Sequence, residues 1–337
     1  MRNGNHLGSP GTMNKDKGSL EQFEHHFKLI NEELGSSITT DFSLVSDITN
    51  YSVLGEGKRL RPLLFVLSSE LCGYAGKDVY RISTIFELIH SASLLHDDVL
   101  DNAETRRKKP AARNVWGNPA AVLAGDFLYA HATAIAAECN NLEFIKVLSH
   151  TTRRMVEGQF VELGHTHNWH LGVDKYLDII IAKTAALISA ACACGGIIAG
   201  APKEEVESLK EFGLNLGIAF QLIDDLLDYT SSEEIIGKPV GKDLREGKIT
   251  LPLIYVLSDF EKSEVDKLEH LFKNHGATDK DYDDLIKTVR RNGVIERVRG
   301  EAKKYVDKGE TFLELFPESF TKKGLLGLGE YIVNREL

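Results

Sequence analysis

Apolar residues return every three or four positions along most of this 337-residue chain. Leu63, Leu64, Leu67 and Leu71 form one such stripe and Leu209, Phe212, Leu216 and Phe220 another, whereas sustained alternation of apolar and polar positions is rare. Side chains at that spacing share one helical face, so the pattern predicts an all-α protein of roughly a dozen helices. Pro110, Pro119, Pro202, Pro239 and Pro317 fall in or beside polar joints, while Pro62 and Pro252 suit first turns of helices, where a missing N–H is harmless. No Gly/Ser-rich linker or break in composition divides the pattern. Residues 19–337 are therefore expected to form one large helical bundle, with the more charged tail beyond about residue 259 at its periphery. Residues 1–18, rich in Gly, Asn, Ser and Lys with a second Met at 13, are set aside as a disordered leader or expression scar. Thr184 to Pro202 carries no charge, but ten of its residues are Ala or Gly, so a closely packed core helix is expected rather than a membrane span.

Composition narrows the class. With 42% hydrophobic and 27% charged residues the chain lies in the ordinary globular range, which excludes disordered, collagen-like and disulfide-framework proteins. Acidic residues outnumber basic ones 50 to 40, and the net charge of −10 argues against a nucleic-acid partner. Cys72, Cys139, Cys192 and Cys194 make no disulfide framework and no paired metal-ligand spacing, which fits a reducing cytoplasm.

One pattern occurs twice. Leu94-Leu95-His96-Asp97-Asp98-Val99-Leu100-Asp101 and Gln221-Leu222-Ile223-Asp224-Asp225-Leu226-Leu227-Asp228 each close an apolar helix and precede a polar segment. In each copy the outer aspartates are four apart and share a helical face, about 5–6 Å from one another, with the middle one alongside. Asp is a poor helix former, and the macrodipole already makes a helix C-terminus negative. A solvated acidic face explains one such cluster; two in equivalent settings point to chemistry. Oxygen ligands without His or Cys suit hard cations, and Mg²⁺ takes one or two carboxylates, waters and phosphate oxygens. Two facing clusters thus predict a Mg²⁺-bridged diphosphate.

Positive charge is concentrated at two places. Gly55-Glu56-Gly57-Lys58-Arg59-Leu60-Arg61-Pro62 puts three basic residues at a helix entrance, and Arg106-Arg107-Lys108-Lys109 follows the first Asp cluster. Neither is a P-loop, because GxxxxGK[ST] and its preceding strand are missing. Beside the Asp clusters they favour phosphate recognition, with Arg as a bidentate fork and Lys as a mobile point charge. Lys238, Lys242 and Lys248 lie in the polar segment 229–248, which would close over the second cluster as a lid. His90, seven residues before Asp97 on the same face, is either a satisfied core histidine or a phosphate donor. His165, His167 and His170 near Glu162 have a spacing that suits a loop better than a metal site.

Taken together, these motifs resemble the trans-isoprenyl diphosphate synthases, the polyprenyl synthetase family, over roughly residues 50–255. The matched elements are Gly57-Lys58-Arg59-Leu60-Arg61-Pro62, both DDxxD clusters, Arg106-Arg107, Lys183-Thr184, Phe220-Gln221 and Gly237-Lys238. Lys108 departs from the pattern, since the family commonly has Gly after the two arginines. The resemblance implies a helical bundle of the isoprenoid synthase type around a central cavity, working as a homodimer. It implies that Asp97, Asp101 and Asp224, supported by Asp98, Asp225 and Asp228, hold Mg²⁺ on an allylic diphosphate, with Arg106, Lys183, Thr184, Gln221 and Lys238 completing that site. Lys58, Arg61, His90 and Arg107 would bind isopentenyl diphosphate.

The expected reaction is head-to-tail condensation: diphosphate leaves, an allylic cation forms, and the double bond of isopentenyl diphosphate attacks it. Ala92 and Ser93 lie five and four residues before Asp97, where a bulky side chain would block a growing tail. Their small size predicts a long-chain product, with octaprenyl diphosphate the expected length; Phe86, Leu88 and Thr133 are the candidates for a deeper stop. A short-chain synthase is the main alternative. A class I terpene cyclase would not need the Lys58/Arg61 site or a second complete DDxxD, and a non-catalytic partner subunit would need neither cluster. Peripheral membrane contact for product release is compatible with the chain, though no segment demands it.

Overall fold

The computed structural model describes residues 20–38, 40–55, 57–230, 240–274, 276–291 and 293–335. Helices dominate, as the periodicity predicts. In chain order they are α1 (Glu24–Ser37), α2 (Ser43–Val53), α3 (Leu60–Leu71), α4 (Val79–Leu100), α5 (Ala112–Trp116), α6 (Asn118–Glu138), α7 (Leu142–His165) and α8 (Val173–Ile180). A π-helical turn, Ile181–Ala185, joins α8 to α9 (Ala186–Ile198). There follow α10 (Lys203–Thr230), α11 (Lys242–Arg245), α12 (Leu251–Leu257), α13 (Lys262–Lys273), α14 (Asp279–Arg291), α15 (Val294–Phe312) and α16 (Phe320–Asn334). Pro119 and Pro252 sit in the first turns of α6 and α12. Asn141 and Ser319 cap α7 and α16 by accepting from Phe144 N–H and Lys322 N–H, which satisfies donors that a helix start leaves unpaired.

The charge-free stretch is the heart of the bundle. Residues Ala186 to Gly196 of α9 are all buried, against α3, α7 and α10. Small residues set how near these helices come: a Cβ on Gly195 would stand 2.6 Å from the Phe65 carbonyl oxygen, and one on Gly217 of α10 2.6 Å from Ala185 Cα. Backbone cannot yield at such distances, so glycine is required for the close approach. Two runs, Asn118–Glu138 and Val173–Ile198, are long and apolar enough to cross a membrane by length and composition. The second is 67% buried and forms the core; the first is only 39% buried and leaves apolar surface outside.

One expectation is corrected. The charged tail is not peripheral: α15 packs along α10 and buries Val294, Val298, Ala302 and Val306. Its charged outer face masks an apolar stripe at helical spacing. Strand structure also appears, as a minimal antiparallel hairpin of β1 (Thr105–Arg106) and β2 (Lys109–Pro110), with Arg106 paired to Lys109. Its two turn residues, Arg107 and Lys108, have φ of +49° and +61°.

Replacement of Gly195 by Val forces α9 away from α3. We expect a loss of about 2 kcal/mol in stability, the usual cost of overpacking, measured as a lower urea midpoint by circular dichroism. An unchanged midpoint would show that the α3–α9 contact tolerates separation.

Candidate active site

The C-terminal ends of α4 and α10 open on one cavity of about 590 Å³. Helix α4 contributes His90, Ser93 and Asp97 to its wall, α10 contributes Gln221, Asp224 and Asp225, and the entrance to α3 contributes Lys58 and Arg61. Lys183 and Thr184 reach it from the π turn, and Arg106, Arg107 and Lys108 from the hairpin. A π turn carries an extra residue, and such bulges recur at functional sites; here it brings two successive side chains to the wall. Lys238, with Gly237, lies outside the described residues.

The six aspartates do not act as two equivalent trios. Asp98 is 3% exposed and does not line the main cavity. It accepts from Arg106 Nε at 2.8 Å and from Nη2 of the same guanidinium. Asp101 accepts from Lys248 Nζ at 2.7 Å, and the same ammonium donates to Glu246 at 2.8 Å. Asp228 accepts the backbone N–H groups of Lys242 and Asp243 at 3.1 and 3.0 Å, so it fastens α11 to the end of α10. Asp225 accepts from Tyr176 Oη and from Gln221 Nε2, both at 2.6 Å, while Thr184 Oγ1 donates to Gln221 Oε1 at 2.9 Å. Asp224 accepts from Arg335 Nη2 at 2.6 Å. Of the six, Asp97, Asp224 and Asp225 line the cavity. Carboxylates four apart on a helix repel, and five of the six, all but Asp97, have a side-chain or backbone donor of their own.

Burial, with help from Asp243, raises the pKa of Asp225 well above the carboxylate range and that of Asp228 to about 7. Asp243 itself is pushed up to about 6 by burial, with Glu246 adding to the effect. Asp97 is raised by burial, with Asp101 and Glu162 adding to it against Lys183. At the opposite wall the signs reverse. Burial lowers Lys58 to about 8, aided by Arg335, and lowers Arg61 despite Glu87. His90 is driven far below its usual value by burial and then by Arg61 and Arg107, so it is neutral at pH 7.

The cations divide in the same way. Lys183 pairs with Glu162, Lys248 with Asp101, Arg106 with Asp98 and Arg335 with Asp224. Lys58, Arg61, Arg107 and Lys108 have no ion-pair partner among the described residues, and Arg61 Nε is buried without any hydrogen bond. Arg59, grouped in the sequence with Lys58 and Arg61, serves the protein instead. It donates to Glu87 at 2.7 Å, to Asn31 at 3.0 Å and to the carbonyls of Val53 and Gly55 at 2.7 and 3.1 Å.

A second cavity, about 320 Å³, shares Ser93, Asp97 and Lys183 with the first and is walled by Ala92, Leu100, Met155, Val156, Phe160 and Leu163. Tyr129 donates to Thr152 at 3.0 Å across this cavity's lining. Phe86 and Leu88 do not line it; Phe86 packs instead on Phe65 and Phe144, with ring centroids at 5.4 and 6.3 Å. Thr133 does not line it either, and donates to the Tyr129 carbonyl.

A profile of the polyprenyl synthetase family matches residues 42–289. The chain belongs to that family. Octaprenyl diphosphate synthase of Escherichia coli (strain K12) is 34% identical to it over 307 residues, 91% of this chain and 95% of that one. The short chain isoprenyl diphosphate synthase of Methanothermobacter thermautotrophicus is 35% identical over 305 residues, 87% and 93% of the two chains. The crystal structure of a polyprenyl synthase from Caulobacter crescentus CB15, complexed with calcium and isoprenyl diphosphate, matches with a TM-score of 0.90 at 33% identity, covering 97% of this chain and 99% of that one. The synthetase is thus an all-α prenyl diphosphate synthase, a trans-prenyltransferase.

Its donor set fits a hard divalent cation. Asp97, Asp224, Asp225 and Asp243 present oxygen only, and burial together with neighbouring carboxylates raises the pKa values of Asp97, Asp225 and Asp243, a penalty on the charged form that a bound cation offsets. No closed protein cage is needed, because such ions take waters and phosphate oxygens as well. Among the described residues, three ligand atoms converge within 4.8 Å only at His170, Asp266 and Glu269, on the surface. His170 therefore leaves the loop histidines and pairs with α13, at 2.8 Å from Asp266.

Asp243, Tyr176, Glu87 and Arg335 carry no motif of their own and are found only through the fold. Nothing local marks them: Asp243 lies 15 residues beyond Asp228, too far along a continued helix to meet it, and Arg335 lies 111 residues beyond Asp224.

The carboxylates fix a pH dependence. Asp228 and Asp243 hold protons in the folded chain that unfolded aspartates, with a pKa of about 3.9, have released. The folded form binds more protons, so stability falls as pH rises. Between about pH 5.5 and about 7, where Asp228 and Asp243 give up those protons, the loss outweighs the opposing slope of the depressed His90, and Lys58, lowered to about 8, is still charged. We expect a lower thermal midpoint at the higher pH without divalent cations and a smaller difference with them. A midpoint that is flat or rises with pH contradicts the raised carboxylate pKa values.

Proposed function

We propose that this chain condenses an allylic diphosphate with isopentenyl diphosphate, head to tail, and repeats the step to a long all-trans polyprenyl diphosphate, octaprenyl being the expected length. The observation that carries the reading is the arrangement of charge within one cavity: carboxylates at the ends of α4 and α10, and four cations without an ion-pair partner among the described residues, Lys58, Arg61, Arg107 and Lys108, at the entrance to α3 and the hairpin turn.

Asp97, Asp224 and Asp225, with Asp101, Asp228 and Asp243 behind them, would hold Mg²⁺. When bound, that ion neutralises the charge building on the departing diphosphate. The chain's own groups do the rest. Lys183, Arg106 and Lys248 stabilise the leaving diphosphate, and their present partners Glu162, Asp98 and Asp101 keep them in place before it arrives. Thr184, Gln221 and Tyr176 fix the orientation of Asp225 through one hydrogen-bonded chain. Lys58, Arg61 and Arg107 take the second diphosphate, and neutral His90 donates one ring N–H to it. Buried apolar walls exclude the water that would quench an allylic cation, and the proton lost after attack passes to the departing diphosphate.

The growing tail would enter the second cavity past Ser93 and Ala92. Two small side chains at its mouth favour a long product over the short-chain reading. Incubation with Mg²⁺, labelled isopentenyl diphosphate and farnesyl diphosphate, followed by chromatography of dephosphorylated products, tests both steps. Elongated products beyond C20 are expected, and Ala92→Phe should shorten them to roughly one turn of helix below Asp97. Cyclic hydrocarbon, or a length unmoved by Ala92→Phe, goes against the reading.

A homodimer belongs to the same proposal. Leu123 on α6 and Val156, Phe160 and Leu163 on α7 are 57% to 71% exposed, an apolar face of the kind that pairs with a second copy. Sedimentation should give a dimer, and Leu123→Lys combined with Phe160→Lys should give a folded monomer. A parent protein that sediments as a monomer overturns the pairing.

A further inference from the structure

We propose that Lys108 is a fourth diphosphate-binding residue on the unpaired-cation wall, acting on the diphosphate of isopentenyl diphosphate. The inference rests on the functional reading above and extends it to a residue with no assigned role.

Three observations carry it. Lys108 lines the main cavity and also a smaller one of about 190 Å³ behind the hairpin, so it stands at the rim between them. Among the described residues its ammonium has no hydrogen bond or ion pair, a property it shares with Lys58, Arg61 and Arg107. Among the described residues Arg106, Lys183, Lys248 and Arg335 are each held by a carboxylate, so an ammonium without one groups Lys108 with the cations left for an anion rather than with those already neutralised. Finally, the backbone disfavours this residue. Arg107 and Lys108 are the two central residues of a two-residue hairpin, both left-handed, and Lys108 at φ +61° holds the place where such turns take glycine. A side chain kept at a left-handed position against local preference is a pointer to function.

Arg106 makes the placement firm. One residue before the turn, its guanidinium is held by Asp98, so the hairpin cannot swing Lys108 away from the rim without breaking a half-buried ion pair. The long flexible stem then lets the ammonium follow a diphosphate into the cavity as a mobile point charge.

Glycine and asparagine both suit a left-handed turn, so Lys108→Gly and Lys108→Asn remove the charge without adding strain. The test measures, by calorimetric titration without metal, the affinity of each variant for isopentenyl diphosphate. Steady-state KM for both substrates and the thermal midpoint accompany it. We expect both variants to bind isopentenyl diphosphate about three- to tenfold more weakly, in line with the loss of one charge-assisted contact. KM for that substrate should rise alike, KM for the allylic substrate should hold, and the thermal midpoint should not fall. Lys108→Arg should keep the affinity. An unchanged affinity, equal rises in both KM values, or weakening in only one of the two neutral variants overturns the assignment. A parent that binds isopentenyl diphosphate but does not elongate an allylic primer defeats the functional reading and leaves the Lys108 contact standing on its titration.

Discussion

Like charges crowded at the ends of two apolar helices are the constraint from which the rest of the site follows. Asp98 and Asp225 are almost wholly buried, and a buried carboxylate is tolerated only when hydrogen-bonded or paired. Each has been given partners from elsewhere in the chain: Arg106 from the hairpin for Asp98, Tyr176 from α8 and Gln221 from α10 itself for Asp225. Those partners dictate where the hairpin, the π turn and α8 must lie. Lys248 joins Asp101 of α4 to the segment that follows α10, and so ties the first cluster to the polar stretch beyond the second. The site is therefore assembled by the need to balance its own charge.

The same balance explains why the clusters are asymmetric although their sequences match. Asp98 is paired with an arginine, whereas Asp225, Asp228 and Asp243 have no arginine partner among the described residues and are pushed toward protonation by burial and by one another. The α10 side is thus the part of the cavity most in want of a cation. On the opposite wall cations predominate, and burial with the neighbouring Arg107 lowers the pKa of both Arg61 and His90. Two groups of opposite charge within one cavity suit two diphosphates of which one arrives with metal and the other without.

Much of this was legible in the chain. Helical periodicity gave the all-α class, and the spacing of Asp97 and Asp101, of Asp224 and Asp228, and of Lys58 and Arg61 marked both walls. What the sequence hides is direction. Four-residue spacing says that two aspartates share a face, but not that Asp101 and Asp228 would turn to Lys248 and to the N-terminus of α11. Arg335 reaches Asp224 from 111 residues away, and no local pattern encodes such a contact. The tail reads as peripheral because its charges outnumber its apolar positions, yet Val294, Val298, Ala302 and Val306 are enough to bind α15 to α10.

Arg59 and Glu87 show how a buried ion pair can serve placement rather than stability. Replacing such a pair with apolar residues is often neutral or favourable, so its retention needs another reason. Glu87 faces not only Arg59 but also the fields of Arg61 and Arg107, and it offsets the repulsion among three guanidinium groups. Arg59, held by Asn31 and by the Val53 and Gly55 carbonyls, folds the turn around itself. Gly57 must lack a Cβ, because one would lie 2.9 Å from Arg59 Nη1 and 3.3 Å from Arg107 Nη1. The consequence is a positive wall held in shape by the chain's own contacts, so that binding a diphosphate does not require the cations to be gathered first. Preorganisation of that kind lowers the cost of binding and leaves Lys58 and Arg61 free to face the ligand.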